Sequence, residues 1–223
     1  MVFGKRGAEM QKIKNSIKIK DGSLIGRTLD SNNKEEMKRA REFRHRIFLD
    51  ELGWSLPEGT VEDVDEYDGG AVHFGAFSDT GELLGYFRLV LPENGFMIER
   101  EFASLIYPDY CVRKEKDTVE ASHFAISRRL RGEEDGFRVI GLLLRTLYLW
   151  AKNNNVRYIY GVCASDYLKF LEGLFSGCKS IGPAYEYQKG VSSSALIFDL
   201  EKLDLPEIQV FWSLVIDKSR IEQ

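Results

Sequence analysis

Residues 118–127 read Thr118-Val-Glu-Ala-Ser-His-Phe-Ala-Ile-Ser127 and run directly into Arg128, Arg129 and Arg131. As a strand the stretch alternates, with Glu120, Ser122, Phe124 and Ile126 on one face and Val119, Ala121, His123 and Ala125 on the other. A carboxylate in the middle of so apolar a strand needs a reason, because burying it without partners is costly. Two readings of Glu120 stand. It is a surface-facing residue of a half-exposed strand, or a general base at the rim of a pocket, where the strand backbone offers groups to a bound chain.

Downstream, Gly132-Glu-Glu-Asp-Gly136 precedes a helical pattern over 137–153. Val139, Ile140, Leu143, Leu144, Leu147 and Ala151 form its apolar stripe. Residues 156–163 read as a buried strand, parallel to the 118–127 strand if the helix between them is a crossover. Ser165 caps a further helix over 167–175. Residues 181–189 and 194–200 read as a closing pair of strands, and Pro206 opens an amphipathic tail helix through residue 215.

Upstream, Val72–Phe77 and 83–91 flank the turn Ser78-Asp-Thr-Gly81, a hairpin signal. Arg88 lies inside the second strand among apolar neighbours and wants a carboxylate; Asp65 and Asp68 are the nearest in sequence. A short helix is expected over 98–106, bearing Phe102 and Leu105. A longer one begins at Asn32, carries Met37, Ala40, Phe43, Ile47 and Phe48 at helical spacing, and stops at Gly53. Arg44, one turn before Phe48, reads as an amphipathic side chain at the edge of that stripe. The acidic run over 58–68 reads mainly as a solvated face, with Asp65 and Asp68 placed to receive a cation. Residues 17–20 can pair with 23–26, so this part reads as an edge hairpin or a loose extension; 1–30 is expected as an N-terminal extension and 31–223 as one domain. The order of elements gives an α/β class: a layered sandwich on one mixed sheet, whose central parallel pair splays and leaves backbone groups free for an extended ligand.

The composition excludes several classes. The chain has 223 residues, 43% apolar and 30% charged, with a net charge of −4, which argues against a dominant nucleic-acid partner. Cys111, Cys163 and Cys178 lack a metal-binding or framework spacing, and His45, His73 and His123 are too scattered to suggest a metal cluster. No apolar run reaches membrane-spanning length and the start of the chain lacks a signal-peptide core, so a cytoplasmic protein is expected.

Five motifs in order carry a resemblance. They are Arg44-x3-Phe48-x5-Trp54, Asp65-x2-Asp68, the strand Gly85-Tyr-Phe-Arg-Leu-Val-Leu-Pro92, the Phe102-x2-Leu105 segment and Glu120-Ala-Ser-His-Phe-Ala-Ile126. Over residues 36–200 the sequence resembles the acyl-homoserine-lactone synthases, a branch of the GNAT-type N-acyltransferases. The resemblance implies a GNAT-like three-layer α/β sandwich and transfer of a fatty acyl chain from a thioester to an amine. It also implies a quorum-sensing signal as the product, with S-adenosylmethionine as co-substrate and no permanently bound cofactor or metal. Glu120 would be the general base, and Ser122 either a hydrogen-bond donor near the acyl carbonyl or a plain strand serine. Arg44, Phe48, Trp54, Asp65, Asp68 and Arg88 would build the amine site. Phe102, Leu105 and Phe124 are expected as acyl-pocket walls or as plain core.

Two departures stand out. His123 occupies the place where the family writes Arg. Facing away from Glu120, it is expected to alter a supporting ion pair, and it opens the reading of an N-acyl amino acid synthase. Arg129-Leu-Arg-Gly132 matches only the first half of the CoA pyrophosphate motif of GNAT enzymes, and Glu133, Glu134 and Asp135 follow it. At roughly 5 Å and an effective dielectric near 20, each carboxylate would repel a phosphate charge by about 3 kcal/mol before screening. An acyl carrier protein is therefore the expected donor, and Arg128, Arg129 and Arg131 read either as the group that meets it or as a solubilising basic corner.

Overall fold

The computed structural model describes residues 16–53, 63–188 and 190–203. Trp54, Lys189 and the expected tail helix lie outside the described residues.

The described strands form one nine-stranded mixed sheet. A hairpin of β1 (Lys18–Asp21) and β2 (Leu24–Thr28) makes one edge, and β2 pairs antiparallel with β3 (Val72–Phe77). The hairpin is therefore an edge hairpin of the main sheet, one of the two forms expected of it. Next come β4 (Leu83–Val90), β5 (Thr118–Ile126) and β6 (Tyr158–Ala164), then β9 (Val191–Asp199), on which β7 (Cys178–Ser180) and β8 (Tyr185–Gln188) both pair. The closing pair expected over 181–189 and 194–200 is present as β8 and β9, and β7 is a further strand on β9.

The crossover helix α3 (Glu134–Asn153) makes β5 and β6 parallel neighbours. Their register runs from Thr118↔Tyr158 only to Ala121↔Gly161, although β5 continues to Ile126 and β6 to Ala164. Beyond that point β5 stays paired with β4 and β6 with β9. The two strands splay, as expected.

Helix α3 covers one face through Val139, Leu142, Leu143 and Trp150, packed on Phe74, Phe87, Val119 and Ile159. Helix α4 (Ser165–Leu174) covers β6, β7 and β9 beside it. The opposite face carries α1 (Lys34–Arg44), packed against Tyr86 and Ala125, and the single turn α2 (Met97–Arg100), packed against Val90 and Tyr160. These layers make the α/β sandwich. The helix expected to Gly53 is α-helical only to Arg44 and widens into a π-helical stretch over His45–Glu51. The helix expected over 98–106 is α2 followed by a 3-10 turn at Ala103–Leu105.

One irregularity sets the site. Arg88 pairs with Ser122 and Tyr86 with Ala125, so both His123 and Phe124 stand opposite Phe87. His123 takes up the extra residue with a φ of 54°. This β-bulge breaks the alternation. Glu120 and Ser122 keep to the α1/α2 face, whereas Phe124 stacks on Phe87 and Ile126 joins the α3 core. The shared face expected for Glu120, Ser122, Phe124 and Ile126 ends at Ser122.

Candidate active site

The acidic segment after residue 62 folds because its own side chains cap it. Asp65 accepts from the Tyr67 N–H at 3.0 Å, and the Asp65 N–H donates to Asp68 Oδ2 at 3.3 Å, a capping box around the 3-10 turn Glu66–Asp68. Tyr67 buries its ring and donates its hydroxyl to Glu101 at 3.1 Å. The turn is thereby held with both aspartates facing the sheet.

There they meet two buried guanidiniums. Arg88 reaches Asp65 with Nη1 to Oδ1 and Nη2 to Oδ2, each at 2.6 Å, and its Nη1 also donates to Asp68 Oδ1. Its Nε donates to Ser122 Oγ at 3.0 Å. Arg44 grips Asp63 through Nη2 at 2.8 Å and Nε at 3.1 Å, and Asp68 Oδ1 through Nη1 at 2.6 Å. Arg44 is 1% and Arg88 0% exposed, so each needs these partners. Burial alone would raise the Asp68 carboxyl, but Arg44 and Arg88 outweigh it and hold its pKa below the usual range.

The expected pairing of Arg88 with Asp65 and Asp68 is therefore present. Arg44, expected at the edge of a core, is inside one and joins the same cluster. Asp63 went unrecognised because nothing in its spacing separates it from the neighbouring acids.

His123 enters this cluster as well. The bulge turns its Nε2 to within 3.7 Å of Asp63 Oδ2 and its ring onto the edge of Phe48, with centroids 4.8 Å apart. The expectation that it faces away from Glu120 fails for the same reason that Phe124 changes face. Burial, with Arg44 and Arg88 adding to it, pushes the His123 pKa well down, so the ring is neutral. Asp63, Asp65 and His123 place ligand-type atoms within 4.8 Å of one another. Both carboxylates are already engaged by guanidiniums, so a metal ion there would face two positive charges. With His123 neutral, two arginines and three aspartates give the cluster a net charge of −1.

An open cleft of about 610 Å³ lies against this cluster, lined by Met37 and Arg41 of α1 and by Val64, Asp65, Asp68 and His73. The carboxylate of Asp65, though held by Arg88, is 27% exposed and lines this cleft.

Glu120 is not at a pocket rim. It is 2% exposed and lies beneath α2, accepting from the Met97 N–H at 2.6 Å and the Ile98 N–H at 3.0 Å. Burial pushes its pKa up to about 7, against the opposing pull of those two N–H groups. Its carboxyl therefore exchanges a proton near neutrality.

The expected acyl walls are split. Leu105 is fully buried and Phe102 packs beside it in the cluster around Tyr160 and Val90. Phe124 is on the other face of the sheet and 38% exposed, so the bulge removes it from that wall. Arg128, Arg129 and Arg131 are exposed on the turn between β5 and α3. Arg129 pairs with Glu82, and Arg131 with Glu51 at 2.9 Å.

A family model described as autoinducer synthase matches residues 26–186. The chain belongs to the autoinducer synthase family. An acyl-homoserine-lactone synthase of Vibrio anguillarum is 22% identical over 177 residues, covering 78% of this chain and 91% of that protein. Among solved structures the chain is similar to TofI in a ternary complex with an inhibitor and MTA. The TM-score is 0.67 at 18% identity, over 82% of this chain and 96% of that one. It is also similar to BjaI, a CoA-dependent acyl-homoserine lactone synthase with SAM and isopentyl-CoA. There the TM-score is 0.66 at 16% identity, over 82% and 83% of the two chains. These likenesses fix the fold as GNAT-like, and membership of the autoinducer synthase family makes the protein an acyltransferase. Among the described residues no helix is long and apolar enough to cross a membrane.

Proposed function

We propose that this autoinducer synthase, acting in the cytoplasm, transfers a fatty acyl chain from a thioester to the amine of S-adenosylmethionine, and that the acylated product closes to an N-acyl-homoserine lactone signal. The observation that carries the reading is the buried Arg44–Arg88–Asp63–Asp65–Asp68 cluster beside the open cleft. Its net charge of −1 and the partly exposed Asp65 in the cleft wall suit a substrate that brings a sulfonium. The BjaI structure holds S-adenosylmethionine, and its use here rests on that likeness and on the charge of the cluster.

The amine nitrogen attacks the thioester carbonyl carbon, the C–S bond breaks, and the thiol leaves with a proton. Glu120 is the general base in this reading, directly or, from its buried place beneath α2, through water, and its pKa of about 7 suits the task. The β5 backbone beyond Ala121, free of β6, supplies groups for the acyl carbonyl and its oxyanion. Arg44, Phe48, Asp65, Asp68 and Arg88, with Trp54, form the amine side, and Ser122 acts by fixing Arg88. Phe102 and Leu105 wall the acyl chain. Lactone closure then needs mainly positioning: the carboxylate oxygen attacks the carbon next to sulfur, and the sulfonium leaves as a neutral thioether.

The donor in this reading is an acylated carrier protein, with Arg128, Arg129 and Arg131 meeting its phosphate or its acidic surface. Glu133 sits at the N-cap of α3, with Glu134 and Asp135 in its first turn, where a CoA pyrophosphate would approach. A second reading, acylation of an ordinary amino acid, is favoured by the neutral His123. Mass spectrometry of organic extracts from cells expressing the chain and fed labelled methionine separates them. Label in an acylated lactone supports the first reading, and an unlabelled acyl amino acid replaces it with the second.

A further inference from the structure

Strand β6 places Tyr160 directly across from Glu120, one pair before β5 and β6 part. Partners across a sheet share a face about 4.8 Å apart, so the Tyr160 side chain rises beside the Glu120 carboxyl on the α2 side. There it packs with Val90, Phe96, Ile98 and Leu105, all fully buried. The Phe96 ring centre is 5.8 Å from its own. Phe102, Val162 and Ile197 are the partly buried flank of the same cluster. Val162 follows Tyr160 by two residues on the same face of β6, where that strand no longer pairs with β5. An acyl chain entering between the parted strands passes Val162 and then meets the Tyr160 ring.

The far end of that ring is tied down. The Tyr160 hydroxyl oxygen accepts the Arg113 N–H at 3.1 Å and lies 3.1 Å from the Tyr110 hydroxyl, whose ring meets it edge-on. Arg113 is itself anchored by its side chain, with Nε donating to Asp117 at 3.1 Å. Swinging the Tyr160 ring aside would strip a backbone N–H and a hydroxyl of their partner, which is unfavourable away from water. A methylene cannot replace that partner, because it neither donates nor accepts. Tyr160 is thus a fixed post between the chemistry at Glu120 and the space behind it, and a long tail would need room that five buried side chains already fill.

We propose that Tyr160 sets the acyl length, stopping the chain close to the reacting carbonyl so that the protein takes short acyl donors. This rests on the acyl-transfer reading above, with Phe102 and Leu105 as walls, and holds whichever amine is acylated.

Donor competition tests it. The full chain and its Tyr160→Val and Tyr160→Phe variants are given butanoyl, hexanoyl, decanoyl and dodecanoyl thioesters, on carrier protein and on CoA, and the products are separated by mass. For the wild type, kcat/KM for the two short donors is expected to exceed that for the two long ones at least about tenfold, the least that one surplus methylene costs at a closed wall. Tyr160→Val should move that ratio at least about tenfold toward the long donors. Tyr160→Phe, which keeps the ring, should stay on the wild-type side. If Tyr160→Val does not fold, Tyr160→Leu, a smaller loss of volume, carries the same expectation. A wild type that prefers decanoyl or dodecanoyl overturns the proposal, as does a variant that slows all four donors by one common factor, the mark of a merely structural residue. A wild type inert toward every donor fails the acyl-transfer reading itself and takes this proposal with it, whereas active enzyme with the wrong length preference fails the proposal alone.

Discussion

Replacing Glu120 by Gln should produce a protein whose stability no longer falls toward alkaline pH through this group and that is nearly inactive. The carboxyl lies under α2 with both oxygens facing backbone N–H groups, and its pKa rises from 4.5 to about 7. Between those values the folded protein holds a proton that the unfolded chain has released. The contribution of Glu120 to stability therefore falls as pH rises, beginning near the unfolded value and levelling off above the folded one. Linkage between those two pKa values gives a loss of about 2–3 kcal/mol from pH 5 to pH 8. Gln does not titrate, but its NH2 group cannot accept from the second of those N–H groups. Near pH 5 the variant should therefore be the less stable by about 1–3 kcal/mol. From pH 5 to pH 8 the difference should move in the variant's favour by about 2–3 kcal/mol. Other titrations cancel in the difference, so urea melts of both proteins across this range isolate the one group. Acyl transfer by the variant should fall at least about tenfold, the lower end of what a general base supplies. A stability difference independent of pH would refute the raised pKa, and near-normal turnover would remove Glu120 from the chemistry.

Four further outcomes are expected. Asp68→Ala should lower stability by about 3–5 kcal/mol in chemical denaturation, because it takes a shared partner from two buried arginines. Since the Asp68 pKa is depressed, its contribution is present above the usual carboxylate range and lost as pH falls, so Asp68→Asn should flatten the acid limb of the stability profile. Gly136→Ala would place a Cβ 1.8 Å from the Leu130 carbonyl oxygen, a backbone atom that cannot yield cheaply. A loss of at least about 2 kcal/mol is expected, visible in a thermal melt, and an unchanged melt would contradict the tight seat of α3 on the turn before it. Neutralising Glu133, Glu134 and Asp135 together should raise turnover of acyl-CoA at least about tenfold, equivalent to about 1.4 kcal/mol, with little effect on the carrier-bound donor. Equal rates before and after would remove charge at α3 as the basis of donor choice.

The fold was legible because periodicity, turn residues and the crossover order agree. The parallel β5–β6 pair and its opening follow from a helix of the right length between two apolar strands. The pairing of Arg88 was legible too, since an arginine in an apolar strand must find carboxylates. Arg44 was harder: on an amphipathic helix an edge arginine and a buried one have the same spacing, and only the position of the acid turn distinguishes them. Asp63 lies in a run of acids in which sequence singles out none. The bulge was invisible, because it rests on a left-handed conformation at His123, where no glycine or asparagine announces it. That single residue accounts for the misplaced Phe124 and for the unforeseen entry of His123 into the arginine–aspartate cluster. Glu120 was placed on the correct face, but its depth was not readable, because the N–H groups it satisfies belong to a single helical turn 22 and 23 residues away.

Asp68 Oδ1 receives an N–H from both Arg44 and Arg88. Helix α1 and strand β4 therefore share this oxygen, and with it Asp65 Oδ2, as their polar joint, and substitutions at the two arginines should not add. Once either guanidinium is gone the shared oxygen has less to lose, so the double variant should suffer less than the sum of the singles. Laboratory evolution toward other amines is then expected to accumulate changes on the cleft wall, at Met37, Arg41 and Val64, while the joint itself resists one-step replacement.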